Sequence, residues 1–265
     1  MLKVKNLEKI FYKGTPNENI AIDKIDLRVN EGDFITIVGS NGAGKSTLLN
    51  SIAGVFPVED GTIILDEQNI TKKSEYKCAQ DIGRVFQNPL AGTSPEMTIE
   101  ENLSLAISKS NNLSLKWGLS KNKRKIMRKH LEKIDLGLEK RLTTKVKLLS
   151  GGQRQALTLL MATVANPRLL LLDEHTAALD PATAIKIKNL TAELVNENNI
   201  TTLMITHNME DAIKMGNRLI MMDGGQIIYD IKAEEKKDLT IEKLMKMFEI
   251  KHGGKFNNDR MLLSV

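Results

Sequence analysis

The segment Gly39-Ser40-Asn41-Gly42-Ala43-Gly44-Lys45-Ser46-Thr47 has the spacing G-x-x-x-x-G-K-[ST]. Its glycines permit a tight turn in which successive backbone N–H groups can converge on phosphate oxygens. A helix starting at the end of the loop would present its positive end to the same anion. The Lys45 ammonium can reach β- and γ-phosphates as a mobile point charge, and the Ser46 hydroxyl can ligate Mg²⁺. The pattern predicts a nucleoside triphosphate as ligand. A second pair of reactive groups, Asp173-Glu174, follows the apolar run Leu169-Leu170-Leu171-Leu172. Carboxylates at the end of a buried strand stand where open α/β sheets bind their ligands. Asp173 is suited to hold Mg²⁺, usually through water, and Glu174 to polarise a water attacking the γ-phosphate.

Such groups need strands to carry them. Phe34-Ile35-Thr36-Ile37-Val38 is short, apolar and β-branched, as a strand buried on both faces requires, and it runs directly into Gly39. Residues 46–53 have helical spacing, which completes a strand, loop and helix around the phosphate loop. Further strands are predicted at 2–4, 21–29, 169–172 and 201–206. Residues 218–222 run into Asp223-Gly224-Gly225-Gln226, which reads as a hairpin turn. Between Pro89 and Val164 the pattern turns helical and charged, with a basic stretch over 116–133 expected to be a solvated helix face. The predicted fold class is α/β. It has a P-loop core with a mixed, largely parallel sheet, an N-terminal antiparallel β part and an inserted α-helical part at about 88–164. Residues 1–232 form the main domain, and 233–265 a short C-terminal helix (240–248) with a polar tail.

Leu149-Ser150-Gly151-Gly152-Gln153 precedes the acid pair by about twenty residues and resembles the signature motif of ATP-binding cassette (ABC) ATPases. A serine followed by glycine N–H groups at a helix start is again suited to a phosphate. The ordered resemblance covers roughly residues 2–230 and implies roles for further positions. Gln87, in Val85-Phe86-Gln87-Asn88-Pro89, resembles the glutamine that joins Mg²⁺ and water to the helical insertion. Asp180, in Ala177-Ala178-Leu179-Asp180, resembles the D-loop aspartate that crosses the dimer interface. His207, after Ile205-Thr206, resembles the switch histidine that contacts the γ-phosphate. Phe11 resembles the aromatic that stacks on adenine. Its neighbour Tyr12 is the alternative, and simple packing of both rings is another. One position departs from the family pattern: His175 stands where proline is usual, with ordinary backbone geometry expected, and would put a titratable group beside Glu174.

The resemblance implies ATP and Mg²⁺ as cofactors and a homodimer paired head to tail. Each ATP would lie between one copy's phosphate loop and the Ser150-Gly151-Gly152 of the other. It implies a transporter ATPase at the cytoplasmic face of the cell membrane. The partners would be integral membrane permease subunits, contacted near residues 89–102, and an extracytoplasmic substrate-binding protein, with no nucleic acid. Asp173-Glu174-His175-Thr176-Ala177-Ala178-Leu179-Asp180 and Thr206-His207-Asn208-Met209 resemble a subgroup associated with uptake of aromatic amino acids. The alternative is a soluble ABC ATPase such as one serving iron–sulfur assembly. A kinase is excluded by the signature motif, which has no part in phosphorylating a substrate.

Composition agrees with this reading without selecting it. Of 265 residues, 41% are hydrophobic and only 4% aromatic, so a core must come from Leu, Ile, Val, Met and Ala. The net charge of +5 suits an anionic ligand, a membrane surface or nucleic acid alike. A single cysteine, Cys78, rules out an internal disulfide framework. No run reaches the roughly 18 apolar residues of a membrane helix, so work at a membrane requires a partner.

Overall fold

The computed structural model describes residues 1–108 and 121–251, which form two compact units. One comprises residues 1–78 with those from 201 onward, and the other comprises Ala79–Ile200. Part of the expected basic stretch, 116–120, and most of the expected polar tail, 252–265, lie outside the described residues.

The first unit opens with β1 (Leu2–Phe11) and β2 (Asn19–Val29), an antiparallel pair in which every second side chain faces the core over much of its length. Next come β3 (Phe34–Gly39), buried at every residue, and α1 (Lys45–Ile52). β4 (Asp60–Leu65) pairs with the free side of β1, β5 (Gln68–Asn69) pairs with β4, and α2 (Glu75–Cys78) ends this stretch. The antiparallel N-terminal sheet therefore has the order β2-β1-β4-β5. Cys78, the single cysteine, is buried.

The second unit begins with β6 (Ile82–Val85) and continues through α3 (Ile99–Ser108), α4 (Lys121–Glu132) and α5 (Gly151–Thr163). It ends with β7 (Leu169–Asp173), parallel to β6, and α6 (Pro181–Glu197). The basic helix α4 is more than a solvated face. Arg124 makes a two-pronged contact to the buried Glu100 carboxylate at 2.7 and 2.9 Å, and Met127 and Leu131 of the same helix are buried. The loop before α3 is held by Asn102, which is 1% exposed. Its side chain accepts from Ser94 N (2.8 Å) and donates to Ser94 O (3.0 Å) and Thr98 O (2.9 Å).

The chain then returns to the first unit with β8 (Thr201–Ile205), α7 (Met209–Lys214), β9 (Arg218–Asp223) and β10 (Gln226–Ile231). β3 lies between β8 and β9, parallel to both, and β10 is antiparallel to β9. Gly224 and Gly225 take φ 51° and 79°, the two positive values that a tight two-residue hairpin turn demands. α8 (Ala233–Lys237) and α9 (Ile241–Lys251) follow. Leu244 and Phe248 of α9 join Val38, Ala212, Leu219, Met221 and Ile231 in one buried cluster. Burying each contributes about 1.5–3 kcal/mol, which makes the C-terminal helix part of the core of this unit. No helix among the described residues is long and apolar enough to cross a membrane.

Candidate active site

In the first unit three neighbouring strands end together. Ile37 of β3 is in register with Ile205 of β8 and Ile220 of β9, so Gly39-Ser40, Thr206-His207 and Met222-Asp223 leave the sheet side by side. Gly39 passes so close to β9 that a Cβ there would stand 2.1 Å from the Met222 carbonyl oxygen. Gly44 has φ 91°, and a Cβ on it would meet Ala21 O at 2.2 Å, so only glycine fits. The loop is braced from outside: Ser40 Oγ donates to Asp223 Oδ1 at 2.9 Å, and Gly225 N donates to Ala43 O at 3.3 Å. Lys45 is 6% exposed, and its Nζ donates to Gly39 O (2.7 Å) and Ser40 O (2.9 Å). A cation is thereby held over a loop that opens a helix with no acid in its first turn. Both features favour an anion.

Ser46 and His207 are half-buried. The turn carrying His207 is set by its neighbours: Asn208 N donates to Thr206 Oγ1 (3.1 Å), and Asn208 Oδ1 accepts from Asp211 N (2.8 Å), capping α7. Phe11 ends β1 with its ring edge-on to Phe56, centroids 5.3 Å apart, and Lys9 Nζ lies 5.1 Å from its centroid. Tyr12 is 71% exposed with φ 55°. Of the two aromatics, Phe11 is the one held in a defined setting.

The remaining predicted residues, Gln87, Ser150 to Gln153, Asp173, Glu174 and Asp180, all belong to the second unit. Ser150 is the N-cap of α5 in a reciprocal cap. Its Oγ accepts from Gln153 N at 3.2 Å, and Gln153 Oε1 accepts from Ser150 N at 3.2 Å. The same helix organises two other motifs. Gln155 donates to Phe86 O (3.2 Å), holding the segment on which Gln87 is exposed. A Cβ on Gly152 would fall 2.1 Å from Thr183 Cγ2, so α5 and α6 meet there with no space for a methyl group. Asp180 caps α6, accepting from Thr183 N at 3.0 Å, and Pro181 takes the first helical position. Hydrogen bonds to Thr183 hold the Asp180 carboxyl below its ordinary range.

Asp173 closes β7 half-buried, and Glu174 follows with φ 47°, a left-handed value strained for a residue with a side chain. The turn is secured by Ala177 N donating to Glu174 O at 3.0 Å. His175 follows Glu174 in sequence, but its side chain is buried. It is 3% exposed, with Nε2 3.0 Å from Thr191 Oγ1 on α6. The Thr191 hydroxyl donates its proton to Ile187 O (2.7 Å), so its oxygen accepts and His175 Nε2 carries the proton. Burial, and then the Lys188 charge, lower the His175 pKa to about 4. The imidazole is a neutral packing group anchored to α6. Asp223, Gln155 and Thr183 were not singled out from the sequence. Their partners lie far along the chain, and only the strand-end position of Asp223 offered any sign.

The profile described as "ABC transporter" matches residues 22–177. A tyrosine transport ATP-binding protein of Clostridioides difficile is 48% identical over 94% of this chain and 99% of its own. An energy-coupling factor transporter ATP-binding protein of Clostridium tetani is 35% identical over 86% of this chain and 78% of its own. Among solved structures, the ATP-binding cassette MJ0796, a dimer in a post-hydrolysis state with ADP and Pi, aligns with TM-score 0.74 and 30% identity over 88% of this chain and 99% of that one. On the phosphate loop, the signature cap and these matches, the chain belongs to the ABC transporter family, as one of its ATP-binding, ATP-hydrolysing subunits.

Proposed function

We propose that this chain powers uptake of an aromatic amino acid of the tyrosine type through separate integral membrane subunits, seated at the cytoplasmic face of the membrane. The observation that carries the reading is the 48% identity to a tyrosine transport ATP-binding protein over nearly the whole of both chains. An extracytoplasmic substrate-binding protein completes the proposed system.

In the proposed mechanism two copies close head to tail on ATP. Phe11 stacks on adenine, and backbone groups from Gly39 through Thr47 cradle the phosphates, with Lys45 offsetting their charge. Ser150, Gly151, Gly152 and Gln153 of the opposing copy cover the γ-phosphate, with Asp180 at the interface. Ser46, Gln87 and Asp173 would hold Mg²⁺. Hydroxyl, amide and carboxylate oxygens are the hard donors this ion prefers, and a small protein set suits an ion that keeps water and phosphate ligands. When bound, Mg²⁺ offsets charge on the transferring phosphoryl group. Glu174 orients and polarises the attacking water, and His207 contacts the γ-phosphate.

The test has two stages. Glu174→Gln, purified from solubilised native membranes in ATP, is expected to bring a polytopic membrane protein with it. Cells lacking this chain are expected to lose saturable uptake of labelled tyrosine or tryptophan. Uptake of both unchanged, with loss of an unrelated solute, would refute the substrate assignment.

A further inference from the structure

The first unit carries a cleft of about 850 Å³ that the nucleotide-binding groups do not line. It lies at the far end of β3 from the phosphate loop. Asp33 on its wall immediately precedes β3, and Gly39 closes the strand about 20 Å from it at about 3.3 Å per residue. Along β1 and β2 the apolar residues Leu2, Val4, Leu27 and Val29 are buried, which leaves Lys3, Lys5 and Arg28 on the opposite, exposed face. Lys3 and Arg28 are directly opposed across the antiparallel ladder. Opposed like charges destabilise a sheet. Neither side chain has an ion pair or hydrogen bond among the described residues, and nor does Lys232, which also lines the cleft.

The lining as a whole has five cations against three carboxylates, and two of the carboxylates, Asp33 and Asp230, are taken up by one cation, Arg218. Asp230 takes a two-pronged contact from Arg218, at 2.6 Å to each oxygen. Asp26 accepts from Asn6 N (2.9 Å), and Asp33 accepts from Asn30 N (2.9 Å). Arg218 also donates to Arg28 O at 2.7 Å, so the floor and the β2 wall are tied together. The cleft thus holds unpaired cations, two of them directly opposed, on a fixed frame. An anion bridging them would turn the repulsion into attraction, and a singly charged ion would leave part of it uncompensated.

We propose that this cleft binds a small soluble anion bearing two or more charges on phosphate groups, held by Lys3, Arg28 and Lys232. Lysine ammoniums act as point-charge partners for phosphate, and the Arg28 fork supplies paired donors.

Inorganic pyrophosphate titrated into the isotopically labelled protein in EDTA, followed by backbone amide shifts, reads the cleft and the phosphate loop separately. Saturable shifts are expected at Lys3, Arg28 and Lys232. The double substitution Lys3→Gln/Arg28→Gln should weaken them at least tenfold while leaving the response of residues 39–47 unchanged. Without anion, the doubly substituted protein should melt no lower than the parent, since it loses a repulsion. Cleft amides that stay still, shift without saturating, or bind equally well after substitution would overturn the proposal. So would phosphatidylglycerol vesicles moving these amides where pyrophosphate does not, because the cleft would then face a membrane surface.

Discussion

Gly152→Ala separates packing from phosphate chemistry in the signature segment. A β-carbon at 152 would stand 2.1 Å from Thr183 Cγ2, against the 3.5–4.0 Å of an ordinary carbon contact. One of them must move by about 1.4 Å. Thr183 has little freedom, because its hydroxyl as well as its backbone N–H is committed to the Asp180 carboxylate in the cap of α6. Overpacking of this kind costs about 1–3 kcal/mol, while replacing glycine in a helix returns at most about 1 kcal/mol. The expected net loss is about 1–2 kcal/mol, or a fall in Tm of about 2–8 °C. Thr183→Ser removes only the offending methyl group and keeps the hydroxyl. The double variant should recover most of the loss, giving a coupling of about 1 kcal/mol or more in a double-mutant cycle from urea unfolding. Gly151→Ala is the control, because its nearest neighbour would be Leu179 Cδ2 at 3.8 Å, an ordinary contact. If Gly152→Ala proves as stable as Gly151→Ala, or if Thr183→Ser adds its own loss without rescue, the close approach of α5 and α6 is not what selects glycine at 152.

His175 makes stability depend on pH. The unfolded chain protonates it near pH 6.5 and the folded chain only near pH 4. Its contribution is therefore fully present above about pH 6.5 and lost as the pH falls toward 4, to a total of about 3 kcal/mol. Denaturation midpoints measured from pH 7.5 to 4.5 should fall less steeply in His175→Gln than in the parent. Ser150→Ala removes the oxygen that receives Gln153 N, and should cost about 1 kcal/mol of stability in chemical unfolding. Lys45→Ala should abolish measurable nucleotide binding by fluorescence titration, since the loop then lacks its cation. Glu174→Gln should lower the ATPase rate at least about a hundredfold while retaining bound nucleotide. Chelation of divalent cations should stop phosphate release in the parent protein and be reversed by added Mg²⁺.

Much of this protein could be read locally. A phosphate loop works through backbone N–H groups and glycine freedom, properties of nine consecutive residues, so Gly39 through Thr47 announce their chemistry without the rest of the fold. The same holds for the Ser150–Gln153 cap, which closes within one helical turn, and for the Gly224-Gly225 hairpin. The buried strands were legible because a run such as Phe34 to Gly39, apolar on both faces, has few other places to go. Tertiary structure decided what depends on partners distant in sequence. Gly152 looked like a phosphate ligand alone until Thr183 was found against it. His175 seemed a titratable neighbour of Glu174 until burial against Thr191 made it neutral. The sequence sets the C-terminal helix outside the main domain, whereas its Phe248 enters the core beside Val38. The opposition of Lys3 and Arg28 exists only through the register of β1 against β2. Short-range hydrogen bonding and periodicity are written into neighbouring residues, whereas desolvation, close packing and charge pairing depend on which surfaces the chain brings together.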